Sequence, residues 1–304
     1  MGGMMRDDNA RAIVRTAAIG AGLLLLCGGA LARAQGSARV QFYEIETKYI
    51  FGFTEGSGIG LEGEKEFSID TIGRFGKRDG RYTATETKFE FEYTPNQYIQ
   101  LEFGPLAAGH YIRDVTDLDN RNTFQPSGLF GEVRYLLLDR PASPVAVTVS
   151  FEPNYRAFDE TSGERVQNYE FETKIMADVE LIKNRIYGAV NLIYEPEITR
   201  VADGSWERES TLGFTGAVSF RVLPDLLVGV EADYCRHYDG TFLNTFTGDA
   251  LFIGPTLYYK FARKMFMTAA WNAQVWGREI ETGQRLNLEE FSRQRAKFKV
   301  AVEF

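Results

Sequence analysis

Residues 87–93 read Thr87-Lys88-Phe89-Glu90-Phe91-Glu92-Tyr93, with an aromatic or Thr at every odd position and a charge at every even one. Successive side chains of a β-strand point to opposite faces, so one face is apolar and the other carries Lys88, Glu90 and Glu92. A helix would scatter the same residues around its circumference with no coherent face. The pattern recurs in Tyr43–Phe53, where Glu44, Glu46 and Lys48 are the alternate residues. It recurs again in Tyr169–Leu181, with Glu170, Glu172, Lys174, Asp178 and Glu180. Strands about ten residues long, apolar on one side and charged on the other, suit a barrel with lipid outside and a polar lumen inside.

The connections add a second regularity. Short turns at 94–97, 139–144, 183–184, 223–225 and 262–264 alternate with longer polar connections at 113–126, 157–167, 197–208, 239–248 and 278–289. Bacterial membrane barrels have tight periplasmic turns and long outer loops. A soluble sandwich has no reason to sort its loops this way. The expected fold is therefore all-β, an antiparallel up-and-down transmembrane β-barrel. Its twelve strands fall at 40–53, 81–94, 97–112, 128–139, 144–156, 168–182, 184–196, 209–222, 225–238, 249–262, 264–278 and 290–304, with ten or fourteen as alternatives. Residues 54–80 are expected as a long outer loop or hairpin, and Gly254-Pro255 as a bulge, because Pro cannot donate to a ladder.

Residues 1–34 read as a cleaved signal peptide: Arg6, Arg11 and Arg15, an apolar run from Ala17 to Ala32, then Ala32-Arg33-Ala34. Export of the Sec type to the bacterial outer membrane follows from it. The 304-residue chain carries a net −8, and removing four Arg with Asp7 and Asp8 takes the mature chain to −10. So acidic a chain does not suit nucleic acid, which wants a basic face. Of two cysteines only Cys235 would remain, which leaves no intrachain disulfide.

The final strand, Ala296-Lys297-Phe298-Lys299-Val300-Ala301-Val302-Glu303-Phe304, resembles the C-terminal signal that the barrel-assembly machinery reads in outer-membrane proteins. Phe304 and Val302 match it, while Lys299 stands where Gly is usual. The mature chain as a whole resembles uncharacterised Gram-negative outer-membrane barrels of the porin or transporter type. The resemblance implies a barrel in contact with outer-membrane lipid and a small polar solute as partner.

The chemistry on offer is the lumen charge: Glu44, Glu46, Lys48, Glu86, Lys88, Glu90, Glu92, Glu170, Glu172, Lys174, Glu180, Glu231 and Asp233. A water-filled, acid-rich lumen would favour cations in passive or facilitated passage. Acids and bases paired across a filled interior would instead give a plugged structural or adhesive barrel acting through its outer loops. A lipid- or peptide-hydrolysing barrel would need His110 or His237 as base, but neither stands in a recognisable catalytic spacing. Asp114, Asp117 and Asp119 could together approach a hard cation, without the spacing of a known calcium loop. Gly56-Ser57-Gly58-Ile59-Gly60 lacks the Lys and the strand-to-helix setting of a phosphate loop. No cofactor motif is expected.

Overall fold

The computed structural model describes residues 47–140, 142–280 and 283–304. The expected signal peptide, Glu44 and Glu46 lie outside them. Twelve antiparallel strands close into one ring: β1 Lys65–Phe75, β2 Arg81–Asn96, β3 Ile99–Arg113, β4 Arg121–Leu138, β5 Val145–Phe158, β6 Arg165–Ile182, β7 Ile186–Arg200, β8 Trp206–Leu223, β9 Leu226–Asp239, β10 Thr245–Ala262, β11 Met265–Glu279 and β12 Gln294–Glu303. Closure leaves no strand edge unpaired, which is the condition for exposing a sheet to lipid. The alternation sets the facing. Phe103, Phe151, Phe214 and Phe298 are exposed outside, while Glu90, Glu102, Asn191 and Lys299 are buried inside.

The strand count matches the expectation; the first strand does not. Residues 65–75 occupy the slot expected for 40–53, pairing β12 through Phe67↔Val302 and β2 through Phe67↔Phe91. They therefore form wall, and residues 54–80 are not an outer loop. Two causes favour this choice. Gly76–Gly80 makes a tight connection to β2, with Gly76 and Gly80 at φ 75° and 62°, so β1 and β2 pair as a local hairpin. Residues 47–60, by contrast, break the alternation at Ile50-Phe51 and carry four glycines, which weaken a strand.

The short connections lie where the sequence put them, at the end that also holds Phe304. At the other end most loops are shorter than expected because pairing climbs into the polar stretches. Glu197↔Glu209, Ile198↔Arg208 and Arg200↔Trp206 still belong to the ladder. Gly254-Pro255 is not the bulge. The register against β11 shifts between Leu251 and Phe252, and Pro255 pairs in sequence with Val230 of β9.

Candidate functional site

Residues 47–60 fold inside the lumen at the short-turn end. A 3-10 turn over Thr47–Tyr49 opens the segment, and Gly56 N–H donates to Lys48 C=O at 3.3 Å to close it into a loop. Buried backbone groups need partners, and here the wall supplies them through side chains. The Thr268 hydroxyl donates to Tyr49 C=O at 2.7 Å, Ser219 to Ile50 C=O at 2.7 Å, and Thr148 to Ser57 C=O at 2.6 Å. Glu231 accepts from Phe53 N–H and Thr54 N–H at 3.1 and 2.9 Å. Asn191 takes Glu55 N–H and gives to Glu55 C=O, both at 2.7 Å. Asp178 accepts from the Thr47 hydroxyl and from Ser57 N–H at 2.6 and 2.7 Å.

Charge fastens the loop at two points. Glu55 receives Arg134 at 2.6 Å and Lys174 at 2.7 Å. Burial opposes ionisation of this carboxyl, but Lys174 and Arg134 overturn that and hold it well below the ordinary carboxylate range. Lys48 donates to Glu92 at 2.9 Å, to Gln100 at 3.0 Å and to Glu102. Burial disfavours its charge; Glu102 and Glu92 more than compensate and raise it above the ordinary lysine value.

Tyr49, Ile50 and Phe51 pack with inward-facing Tyr187, Ala189, Ala217, Leu227, Tyr258, Phe266 and Ala301. Apolar residues facing inward reverse the rule for a wet lumen, and they mark where the loop sits. The sequence reading missed this seat. That run of inward apolar positions near the short turns was the available signal, whereas Thr148, Asn191, Ser219 and Thr268 look like any lumen polar residue.

Beyond the loop lies a cavity of 240 Å³. Its wall carries paired charges: Arg156 holds Glu86, Glu160 and Glu170, each at 2.7 Å, and Lys297 meets Asp70 at 3.2 Å. Lys88 pairs with Glu152, Lys299 with Glu90, and Arg295 with Asp233. Arg295 also lies over the rings of Phe53 in the loop and Phe252 in β10, 4.5 and 4.1 Å from their centroids. Cys235 is buried on the same wall and donates to Asp233 at 3.2 Å.

Most charges expected in the lumen are therefore there, with different duties. Glu86, Lys88, Glu90, Glu170, Glu172, Lys174 and Asp233 line the cavity. Lys48 reaches it from the loop rather than from a strand, while Glu92 and Glu231 are occupied by the loop. Glu180 departs from the expectation: it sits beside the β6–β7 turn and accepts from Asn184 N–H. Asp114, Asp117 and Asp119 are not drawn together. Among the described residues the acidic side chains close enough to share an ion are Glu90, Glu92 and Glu102. His110 contacts Glu160 C=O at 3.0 Å, and His237 contacts the Thr247 hydroxyl at 2.9 Å with Glu290 and Glu209 at 3.4 and 3.6 Å.

Compared with solved structures, the chain is similar to the COG4313 outer membrane channel from Pseudomonas putida F1, with TM-score 0.55 and 10% identity over 81% of this chain and 97% of that one. The KdgM porin in complex with disordered oligogalacturonate (TM-score 0.45, 12% identity, 79% and 99% covered) and the NanC porin (0.45, 10%, 78% and 98%) are also matched. At such identity the likeness to the Pseudomonas putida channel is one of fold, a closed antiparallel β-barrel. No curated protein matches the sequence. Residues 43–304 match DUF6662, a family of unknown function, and the chain belongs to that family.

Proposed function

We propose that this protein is an outer-membrane channel for small polar solutes, closed at rest by residues 47–60 acting as a gate. The observation that supports this most is how the loop is held. It contributes no strand to the ring; hydrogen bonds and ion pairs from side chains on β2 through β9 and on β11, with the packing of Tyr49, Ile50 and Phe51, retain it. Each such hydrogen bond nets about 0.5–1.5 kcal/mol, and none belongs to the closed ladder, so the ring stays intact when the seat is left. A sealed structural barrel would not need such a segment to be separable from its wall.

The cavity walls favour positively charged solutes. Twelve carboxylate residues face nine basic ones around it, and among the described residues Glu195 has no hydrogen-bond or ion-pair partner. Biogenesis would run through the assembly machinery reading Val302 and Phe304, with outer-membrane lipid against the exposed aromatics.

The seated loop also favours a second reading, a barrel that does not conduct and works through its outer loops. Planar-bilayer recording separates the two. Refolded wild type should be mostly silent, with Glu55→Ala giving frequent steps that favour cations. A protein silent in both forms, with its heat-modifiable mobility intact, would remove the channel reading.

A further inference from the structure

The Lys48 ammonium sits among three acceptors that belong to the wall and not to the loop. Glu92 lies on β2, Gln100 and Glu102 on β3, and Lys48 meets the two carboxylates and the amide oxygen together. Each of the three is buried. A primary ammonium has three N–H donors and no acceptor, so this set uses its full capacity. Both Lys48 and Glu102 line the 240 Å³ cavity, which makes the pocket continuous with the space a solute would cross.

Withdrawing the loop leaves this pocket intact but unfilled. Glu90, Glu92 and Glu102 would then crowd together within 4.8 Å of one another, with Lys299 beside Glu90 and Glu92 and Arg134 4.0 Å from Glu102 as the wall cations that remain. Removing one partner from a buried ionic group strands the remaining charge, a heavy cost in a confined site. Lys299 and Arg134 stay on the wall, but neither replaces the three bonds Lys48 made, so the open state favours a cation where Lys48 was.

We infer that Glu92, Gln100 and Glu102 form a binding site for the primary ammonium group of small amine solutes, which Lys48 occupies as a tethered stand-in when the gate is closed. Free amine and Lys48 compete for one site, so amine binding favours the open gate. The consequence for transport rests on the channel reading above; the site itself does not.

The test uses the full chain with Lys48→Ala, which removes the ammonium and frees the room of a three-carbon arm. n-Propylammonium should bind this variant by calorimetry, with affinity for wild type at least tenfold weaker because Lys48 competes. Adding Glu92→Gln and Glu102→Gln should weaken binding to Lys48→Ala at least tenfold. If that triple variant yields no heat-modifiable barrel, the comparison on Lys48→Ala alone decides: propylammonium must bind and tetramethylammonium, which has no N–H, must not. Equal binding of the two overturns the inference, as does calcium binding in place of propylammonium. Propylammonium binding without conductance in any variant would remove the channel reading and leave the site. Conductance without propylammonium binding would do the reverse.

Discussion

Glu55→Ala is the sharpest probe of the gate. The change removes the carboxylate that receives Arg134 at 2.6 Å and Lys174 at 2.7 Å. A hydrogen bond to a charged group is worth about 1.5–3 kcal/mol net. Neither cation is stranded by the loss: Lys174 retains Glu172 at 2.8 Å, and Arg134 retains Gly56 C=O at 3.2 Å with Glu132 at 3.8 Å. The lower end of the range therefore applies to each bond, about 3 kcal/mol in all. With about 1.4 kcal/mol per factor of ten, the ratio of unseated to seated loop should rise about a hundredfold. Single-channel recording in planar bilayers reads this as open probability, and mobility on heating in detergent checks that the barrel is intact. An intact barrel whose open probability changes less than about threefold would refute the reasoning, because the Glu55 ion pairs would then add nothing to the seating of the loop.

The other predictions are briefer. Gly56→Ala would place a Cβ 2.1 Å from Thr47 C=O and 3.0 Å from Asp178 Oδ2, so the loop should fail to reseat and conductance should rise with the barrel unchanged. Glu55 and Lys48 should not themselves change charge between about pH 5 and 10. Glu55 is depressed, so its contribution is present above the ordinary 4.5 and is lost only as pH falls through the lower folded value. Lys48 is raised, so its contribution is complete below the ordinary 10.5 and is lost as pH rises through the higher one; open probability against pH checks both. Deleting Phe304, whose N–H donates to Lys65 C=O at 2.9 Å and whose ring packs on Phe91 at 6.3 Å, should lower the yield of assembled barrel in outer-membrane fractions. Replacing His110 and His237 together should leave conductance unchanged; lipid or peptide turnover lost in that variant but present in wild type would instead favour the hydrolase alternative.

The wall was legible because its signal is local. Phe89, Phe91 and Tyr93 against Lys88, Glu90 and Glu92 declare both faces of β2 within seven residues, and the last strand does the same for Phe298 and Lys299. The gate was not legible because Tyr43–Tyr49 alternates as well as any wall strand and the break comes only at Ile50-Phe51. What separates it from β1 is a competition for one slot beside β12, settled by pairing partners more than two hundred residues away in sequence. Lys299, odd as a targeting residue, makes sense only with the lumen assembled: it bonds Glu90 and lies over the Tyr49 ring at 4.3 Å. Outer loops were overestimated for the same reason. Polar stretches such as Glu197–Arg200 pair in the ladder with Trp206–Glu209, and composition alone does not distinguish a paired polar strand from a loop.

The central claim is that movement of residues 47–60 opens the path. The Ser57 hydroxyl donates to Asp178 Oδ2 at 2.9 Å, so cysteines at 57 and 178, with Cys27 and Cys235 replaced by Ser and Glu55→Ala added to favour opening, face each other and can tie the loop to β6. The account predicts silence from the oxidised protein in a planar bilayer and steps once reductant is added to the same membrane. Equal conductance before and after reduction, with the disulfide verified by mass, would contradict it.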